Sequence, residues 1–200
     1  GASELREGMT DEQKDRVLRT VLAGGHFSTL EHASWTFAVE GVSRTLSHQL
    51  VRHRIGVSPE QQSQRYVKFD DGFDYIVPPS VEESGKEALN EFRNVMRSAS
   101  EAYEKLRVLG VPAEDARFVL PNAAETKLVL TMNARSLRHF FDLRCCNRAQ
   151  WEIRELAWRM LELVRPTAPL VFADAGPGCV RGGCPEGKMT CGNPYKKIAL

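Results

Sequence analysis

The chain of 200 residues lacks any apolar run long enough to cross a bilayer as a helix, so a spanning helix is not expected. It also lacks an excess of either charge. Lys and Arg total 27 against 26 Asp and Glu, a formal net charge of +1. General nucleic-acid binders are normally strongly basic, so that balance speaks against one, while leaving room for a local basic pocket. The stretch Gly1 to Met9 is polar and has no apolar core, which predicts no secretory leader. A disulfide scaffold is poorly supported, because five cysteines is an odd number and Cys145 and Cys146 are adjacent. A reducing, cytoplasmic compartment fits that usage better. Internal repeats and low-complexity tracts are missing too. What is present is ordinary: 42% apolar and 26% charged residues, enough for one domain with a real core.

Thr10 to Gln13 reads as a capping box that opens a helix, with Val17, Leu18, Val21 and Leu22 as its apolar stripe and Gly24-Gly25 as its stop. Trp35, Phe37 and Val39 alternate with smaller or polar residues as in a strand, which Gly41 is expected to break. A helix from about Ser43 is expected to run to about Arg54, and Ser63 to Lys68 to be extended. Ser80 to Glu83 reads as a second capping box. It opens the longest helix, with Leu89, Phe92, Val95, Met96, Ala99, Ala102, Tyr103 and Leu106 inward and Gly110 and Pro112 at its end. Leu128 to Met132 is a short apolar strand, and another long helix is expected from about Ser136 to Val164. Residues 173–200 form an irregular Cys- and Gly-rich tail. Helices and strands do not alternate regularly, so the class is α+β, in a single domain over 1–200.

The densest chemistry lies between Arg52 and Tyr66. On one helix, Gln49, Arg52 and His53 would share a face. Arginine forks suit phosphate oxygens because they stay charged and donate paired hydrogen bonds. An extended segment would then point Ser63 and Arg65 one way, and Gln64 and Tyr66 the other. A solvated basic helix end is the plainer reading of the same composition.

Arg52-His53-Arg54, a gap of eight residues, and Ser63-Gln64-Arg65-Tyr66 resemble the signature of flavin-dependent thymidylate synthases, where the gap is about seven. Gly25-His26-Phe27-Ser28-Thr29-Leu30-Glu31-His32 is similar to that family's upstream segment. So are Arg117 before Phe118-Val119-Leu120-Pro121, the turn Asn133-Ala134-Arg135, and Gln150-Trp151-Glu152-Ile153 after Arg144. The resemblance implies a mixed, largely antiparallel sheet packed with long helices, preceded by a strand and short helix that would lie ahead of Gly1. It implies a methyltransferase that converts dUMP to dTMP with FAD, NADPH and 5,10-methylenetetrahydrofolate, working as a homotetramer with active sites between subunits.

By the same resemblance, FAD would contact His26, Ser28, Glu31, Arg52, His53, Arg54, Gln61, Asn133, Arg135 and His139. The nucleotide would contact Gln49, Arg52, Gln61, Gln62, Ser63, Gln64, Arg65, Arg117 and Arg144, with Gln61 and Gln62 both open for the ligand position ahead of the serine. Arg144 would be the catalytic residue, a cation beside the uracil ring. Ser63 is read as a phosphate contact and not a nucleophile, since no neighbouring base is evident. Nucleic acid and membrane are not expected partners.

Cys179-x4-Cys184-x6-Cys191 remains outside that pattern. Zinc would need a fourth ligand such as Cys145 or Cys146, and the spacing is not a compact Cys-x2-Cys pair. The preferred reading is a packed tail with free thiols, and no metal ligand is assigned. Competing classes are a phosphate-reading nucleic-acid module using Arg52, Arg54, Arg65 and Arg144, a different flavoprotein, and a zinc-stabilised interaction domain.

Overall fold

A computed structural model describes residues 8–67, 69 and 72–196. The expectations at Gly1–Leu5, Lys68 and Lys197 lie outside the described residues. The helices are α1 (Asp11–Ala23), α2 (Arg44–Leu50), α3 (Pro79–Glu83), α4 (Lys86–Val108), α5 (Ala113–Ala116), α6 (Ala134–Arg144), α7 (Trp151–Val164) and α8 (Pro169–Phe172). The strands are β1 (Ser34–Ser43), β2 (Val57–Gln61) and β3 (Glu125–Asn133). They form one antiparallel sheet in the order β1-β3-β2, and the class is α+β as expected. Among the described residues, no helix is long and apolar enough to cross a membrane.

The chain divides into two compact units. One comprises 1–37, 53–58 and 131–200; the other comprises 38–52 and 59–130. In the first, α6 packs on α7 and on the 3-10 segment Phe27–His32. Leu137, Phe140, Phe141, Ile153, Ala157, Leu161 and Phe172 are fully buried there. Edge-on aromatic contacts link Trp35 to Phe172, Phe172 to Phe141, Phe141 to Phe140, and Phe140 to His53, with centroids 5.0–6.1 Å apart. Such edge-to-face pairs add to area burial, so the core reaches His53 through a continuous row of rings. In the second unit, Leu46, Leu50, Met96, Tyr103, Ala116, Ala124, Leu128 and Leu130 form the core.

Several local expectations hold. Thr10 and Gln13 make the reciprocal capping box of α1. A strand covers the expected Leu128–Met132 and runs beyond it, from Glu125 to Asn133, with burial alternating along it. Others need correction. No residue of α1 is buried, so its apolar stripe meets no deep core; its neighbours are the short α8 and the 3-10 segment. Gly41 does not end β1. It takes φ of +68° inside the strand, and the buried positions slip from Phe37 and Val39 to Val42. One residue of slip at a left-handed glycine is the behaviour of a bulge.

The long α4 does not begin at Ser80. The short α3 comes first, starting on Pro79 without a side-chain cap, and Gly85 at φ of +97° separates the two helices. Val95 is exposed on α4 instead of facing inward. The helix expected from Ser136 to Val164 is two helices. Cys145 closes α6, and the Gln150 side chain accepts from the N–H groups of Glu152 and Ile153 to cap α7. A side chain that satisfies those otherwise orphaned donors starts a new helix. The tail after Ala173 is largely irregular, with 3-10 turns at Gly178–Arg181 and Gly187–Met189, and it buries Cys179 and Val180.

Candidate functional site

The helix α2 stops at Leu50, four residues short of the expected end. Val51 N–H bonds Ser47 O, and Arg52 N–H bonds Gln49 O in the tighter three-residue pattern that closes a helix. Arg52, His53 and Arg54 therefore follow the helix and do not share its face with Gln49. Arg52 and Arg54 are exposed, and neither shows a side-chain partner among the described residues.

His53 turns back onto α6 in its own unit. Arg144 Nε–H donates to His53 Nε2 at 2.9 Å. An accepting Nε2 places the ring proton on Nδ1. Burial, with Arg144 and His139 nearby, pulls the His53 pKa down to about 4, so the ring is neutral at neutral pH. Burial also lowers the pKa of Arg144, which remains a cation. Nε is the only Arg144 nitrogen with a protein partner among the described residues, so its terminal fork is available to a ligand.

The loop that carries His53 is tied to the start of α6. Asn133 N–H donates to Gly56 O at 3.1 Å, and Ser136 Oγ donates to Ile55 O at 2.6 Å. Asn133 Oδ1 caps the helix by accepting from Ser136 N–H. Gly56 sits at φ of +64°, and a Cβ there would come within 2.3 Å of Asn133 Nδ2. From this start, Arg135, Arg138, His139 and Asp142 fall on one helical face, spaced three, four and seven residues from the first.

That face lines a solvent-open cavity of about 240 Å³ with Phe27 and Arg181. Arg135 pairs with Glu31 at 2.6 Å, and Arg181 with Asp142 at 2.6 Å. Arg138 pairs with Asp174 at 2.7 Å and lies over the Phe27 ring. Burial alone would raise Asp174, but the hydrogen bond and charge of Arg138, with Arg181, hold its pKa below the ordinary value. His26 and Ser28 are exposed beside this segment, and neither side chain meets the arginines. Phe27, Arg138, Asp142, Asp174 and Arg181 were not expected here. The helical spacing of Arg138 and Asp142 from Arg135 was the signal that pointed to two of them.

The second unit gathers a different group. Gln61 ends β2 and donates its amide to Thr126 Oγ1 at 3.0 Å. The next segment is a turn and not extended: Val67 N–H bonds Ser63 O, and Ser63 Oγ accepts from Arg65 N–H. The expected alternation of Ser63 and Arg65 against Gln64 and Tyr66 is thereby lost. Arg65 pairs with the Glu114 carboxylate at 2.6 Å, while Arg117 Nε–H donates to the Glu114 backbone carbonyl at 3.0 Å. Arg44, not expected here, donates to Gln62 O at 3.0 Å. Burial and the neighbouring charge of Arg117 lower its pKa. Arg44 Nε and Gln64 Nε2 are buried without a hydrogen-bond partner among the described residues. Gln49 faces its own helix, with a 3.5 Å bond to Thr45 O. Crowded cations and buried orphan donors are the ingredients of an anion site.

The fold and these groups define an α+β protein with arginines gathered beside carboxylates in each unit, and beside histidines in the first. Residues 1–170 match the family described as thymidylate synthase complementing protein, a match that ends before the cysteine-bearing tail. Three curated relatives are each named flavin-dependent thymidylate synthase. The one from Geobacter sulfurreducens is 58% identical over 96% of this chain and 82% of its own length. That from Nitratidesulfovibrio vulgaris is 51% identical over 90% and 77%, and that from Clostridium tetani is 46% identical over 100% and 86%. The chain belongs to the flavin-dependent thymidylate synthase family.

Proposed function

We propose that the chain methylates dUMP reductively to dTMP, with FAD as cofactor, NADPH as reductant and 5,10-methylenetetrahydrofolate as carbon donor, releasing tetrahydrofolate. The observation that carries this reading is the Arg144–His53 pair. A neutral histidine fixes the guanidinium through Nε and leaves its fork free for a ligand. A fixed cation at a uracil ring nitrogen favours the deprotonated ring and pushes electron density toward the fifth carbon, where the new bond must form. Arg144 is thus the catalytic residue of the proposal.

The donor set suits the cofactor. Arg135, Arg138 and His139 line one cavity with the aromatic wall of Phe27, which fits a ligand that is both anionic and aromatic. His26, Ser28, Glu31, Arg52, His53, Arg54, Gln61 and Asn133 are assigned to the same cofactor from the family pattern. When bound, the flavin supplies the redox chemistry. For the nucleotide, Arg65 and Arg117 take the phosphate, supported by Ser63, Gln61, Gln62 and Gln64, with Gln49 and Arg52 as further contacts. Phosphate binding exchanges the Glu114 carboxylate on Arg65 for a more highly charged anion. The family pattern draws active sites from several subunits. Exposed Ile55 and Phe118 are apolar surface of the kind a homotetramer covers. The proposal treats 1–200 as one catalytic domain of a cytoplasmic methyltransferase.

The test is the visible spectrum of the desalted protein before and after FAD, then dUMP, followed by a dTMP assay with NADPH and the folate. A flavin spectrum that shifts with dUMP and not with other nucleotides, followed by dTMP formation, is expected. Flavin binding without nucleotide selectivity or product would refute the assignment.

A further inference from the structure

Four of the five cysteines line one small cavity in the first unit, at the turn between α6 and α7: Cys146, Cys179, Cys184 and Cys191. Cys145 is the exception. It is fully buried in the core and does not line the cavity. All five are free thiols. The carboxylates on the same wall are Asp142, engaged by Arg181, and Glu186. Three cysteines from the tail and one from the distant α6–α7 turn meet at this cavity. Cys184 is half-buried in an otherwise exposed stretch, and Cys191 is exposed.

The tail is held in register at this cavity. Asn147, next to Cys146, donates to Asn193 O at 3.0 Å and accepts from Tyr195 Oη at 2.8 Å. Arg148 donates to Met189 O. Gly178 approaches so closely that a Cβ would lie 2.9 Å from Pro185 Cγ, which brings the Cys179 and Cys184 loops together. Cys191 Sγ accepts from Asn193 N–H at 3.4 Å and from Asn147 Nδ2 at 3.9 Å. N–H groups aimed at a sulfur are the arrangement of outer partners around metal-bound thiolates. Beyond Val180 the tail buries no apolar side chain among the described residues, and these polar contacts with the packing of Tyr195 on Trp158 hold it.

We propose that Cys146, Cys179, Cys184 and Cys191 form a structural four-thiolate zinc site that staples the tail to the α6–α7 turn. Among the described residues, no three His, Cys, Asp or Glu side chains are yet grouped tightly enough to hold an ion. Binding therefore includes closing the ring of thiols onto zinc–sulfur distances of about 2.3 Å. Each thiol that ligates releases one proton, and no oxidation or reduction takes place. The Cys179-x4-Cys184 pair falls within the loop lengths that zinc sites use. Four sulfurs suit a soft-ligand metal, and zinc is the one that holds them tetrahedrally without redox change. This site is independent of the methylation chemistry and would stand if that reading failed.

The test is the metal content of the full-length protein by plasma mass spectrometry, with thiol counting on the same sample. Close to one zinc per chain is expected. Titration with a mercurial should release it into a zinc-sensitive dye as the ring thiols react. Cys146→Ser, Cys179→Ser, Cys184→Ser and Cys191→Ser should each lose most of the zinc, while Cys145→Ala keeps it. Native protein from zinc-supplemented medium that carries no zinc, or carries iron in its place, would overturn the site. So would zinc content unaffected by the four serine variants. The mercurial release uses the unaltered chain, so a variant that fails to fold does not protect the idea.

Discussion

Arg65 and Arg117 converge on a single residue, Glu114, one at its carboxylate and the other at its backbone carbonyl. Glu114 thus occupies a fork that the proposed nucleotide phosphate requires. Glu114→Gln should bind dUMP more tightly, by up to about fivefold, since a half-exposed ion pair is worth at most about 1 kcal/mol. Calorimetric titration with dUMP measures this. Unchanged or weaker affinity would remove Glu114 as a competitor.

Arg144→Ala should lower the methylation rate by about 10²-fold or more while flavin stays bound, by analogy with loss of one electrostatic stabiliser. Steady-state dTMP formation and the bound-flavin spectrum, taken on the same preparation, separate the two effects. A variant with near-normal turnover would strip Arg144 of its role.

The neutral state of His53 has a stability consequence. Its pKa falls from 6.5 to about 4 on folding. Between those values the unfolded chain holds a proton that the folded chain refuses, so stability drops as pH is lowered through this window and is complete above it. Protonation would also remove the lone pair that accepts from Arg144. Urea midpoints across the window should fall more steeply for the native chain than for His53→Leu. Parallel slopes would show that His53 is not the group responsible.

Gly56→Ala should destabilise the protein by about 1–3 kcal/mol, because it adds a Cβ at a left-handed φ and against the Asn133 and Ser136 side chains. Chemical denaturation reads this directly. A change within experimental error would mean that the loop relaxes freely away from α6.

Much of the fold was legible wherever the determinants are local. The Thr10–Gln13 box depends on neighbours in sequence and stands, as does a strand at Leu128–Met132. The misplaced boundaries have specific causes. At Ser63, a side chain and a carbonyl that both take backbone N–H groups outcompete a strand. At Gln150, one cap divides an apolar helical pattern that continues across it. For the site, the order of arginines and histidines along the chain named the candidates, but not their pairing. His53 and Arg144 are 91 residues apart, and only the early end of α2 lets the ring turn back onto α6. Glu114 had no local mark to single it out, since an acidic residue in a short helix is ordinary. Arg138 did have one, being one helical turn from Arg135.

Asn133 ends β3, caps α6 and bonds the backbone of Gly56, while Ser136 fastens Ile55. The first residues after Arg52-His53-Arg54 are therefore knotted to the helix that carries Arg135, His139 and Arg144. Insertions and deletions cannot be absorbed there without untying both ends of the knot. The segment from His53 to Gly56 should therefore keep a constant length.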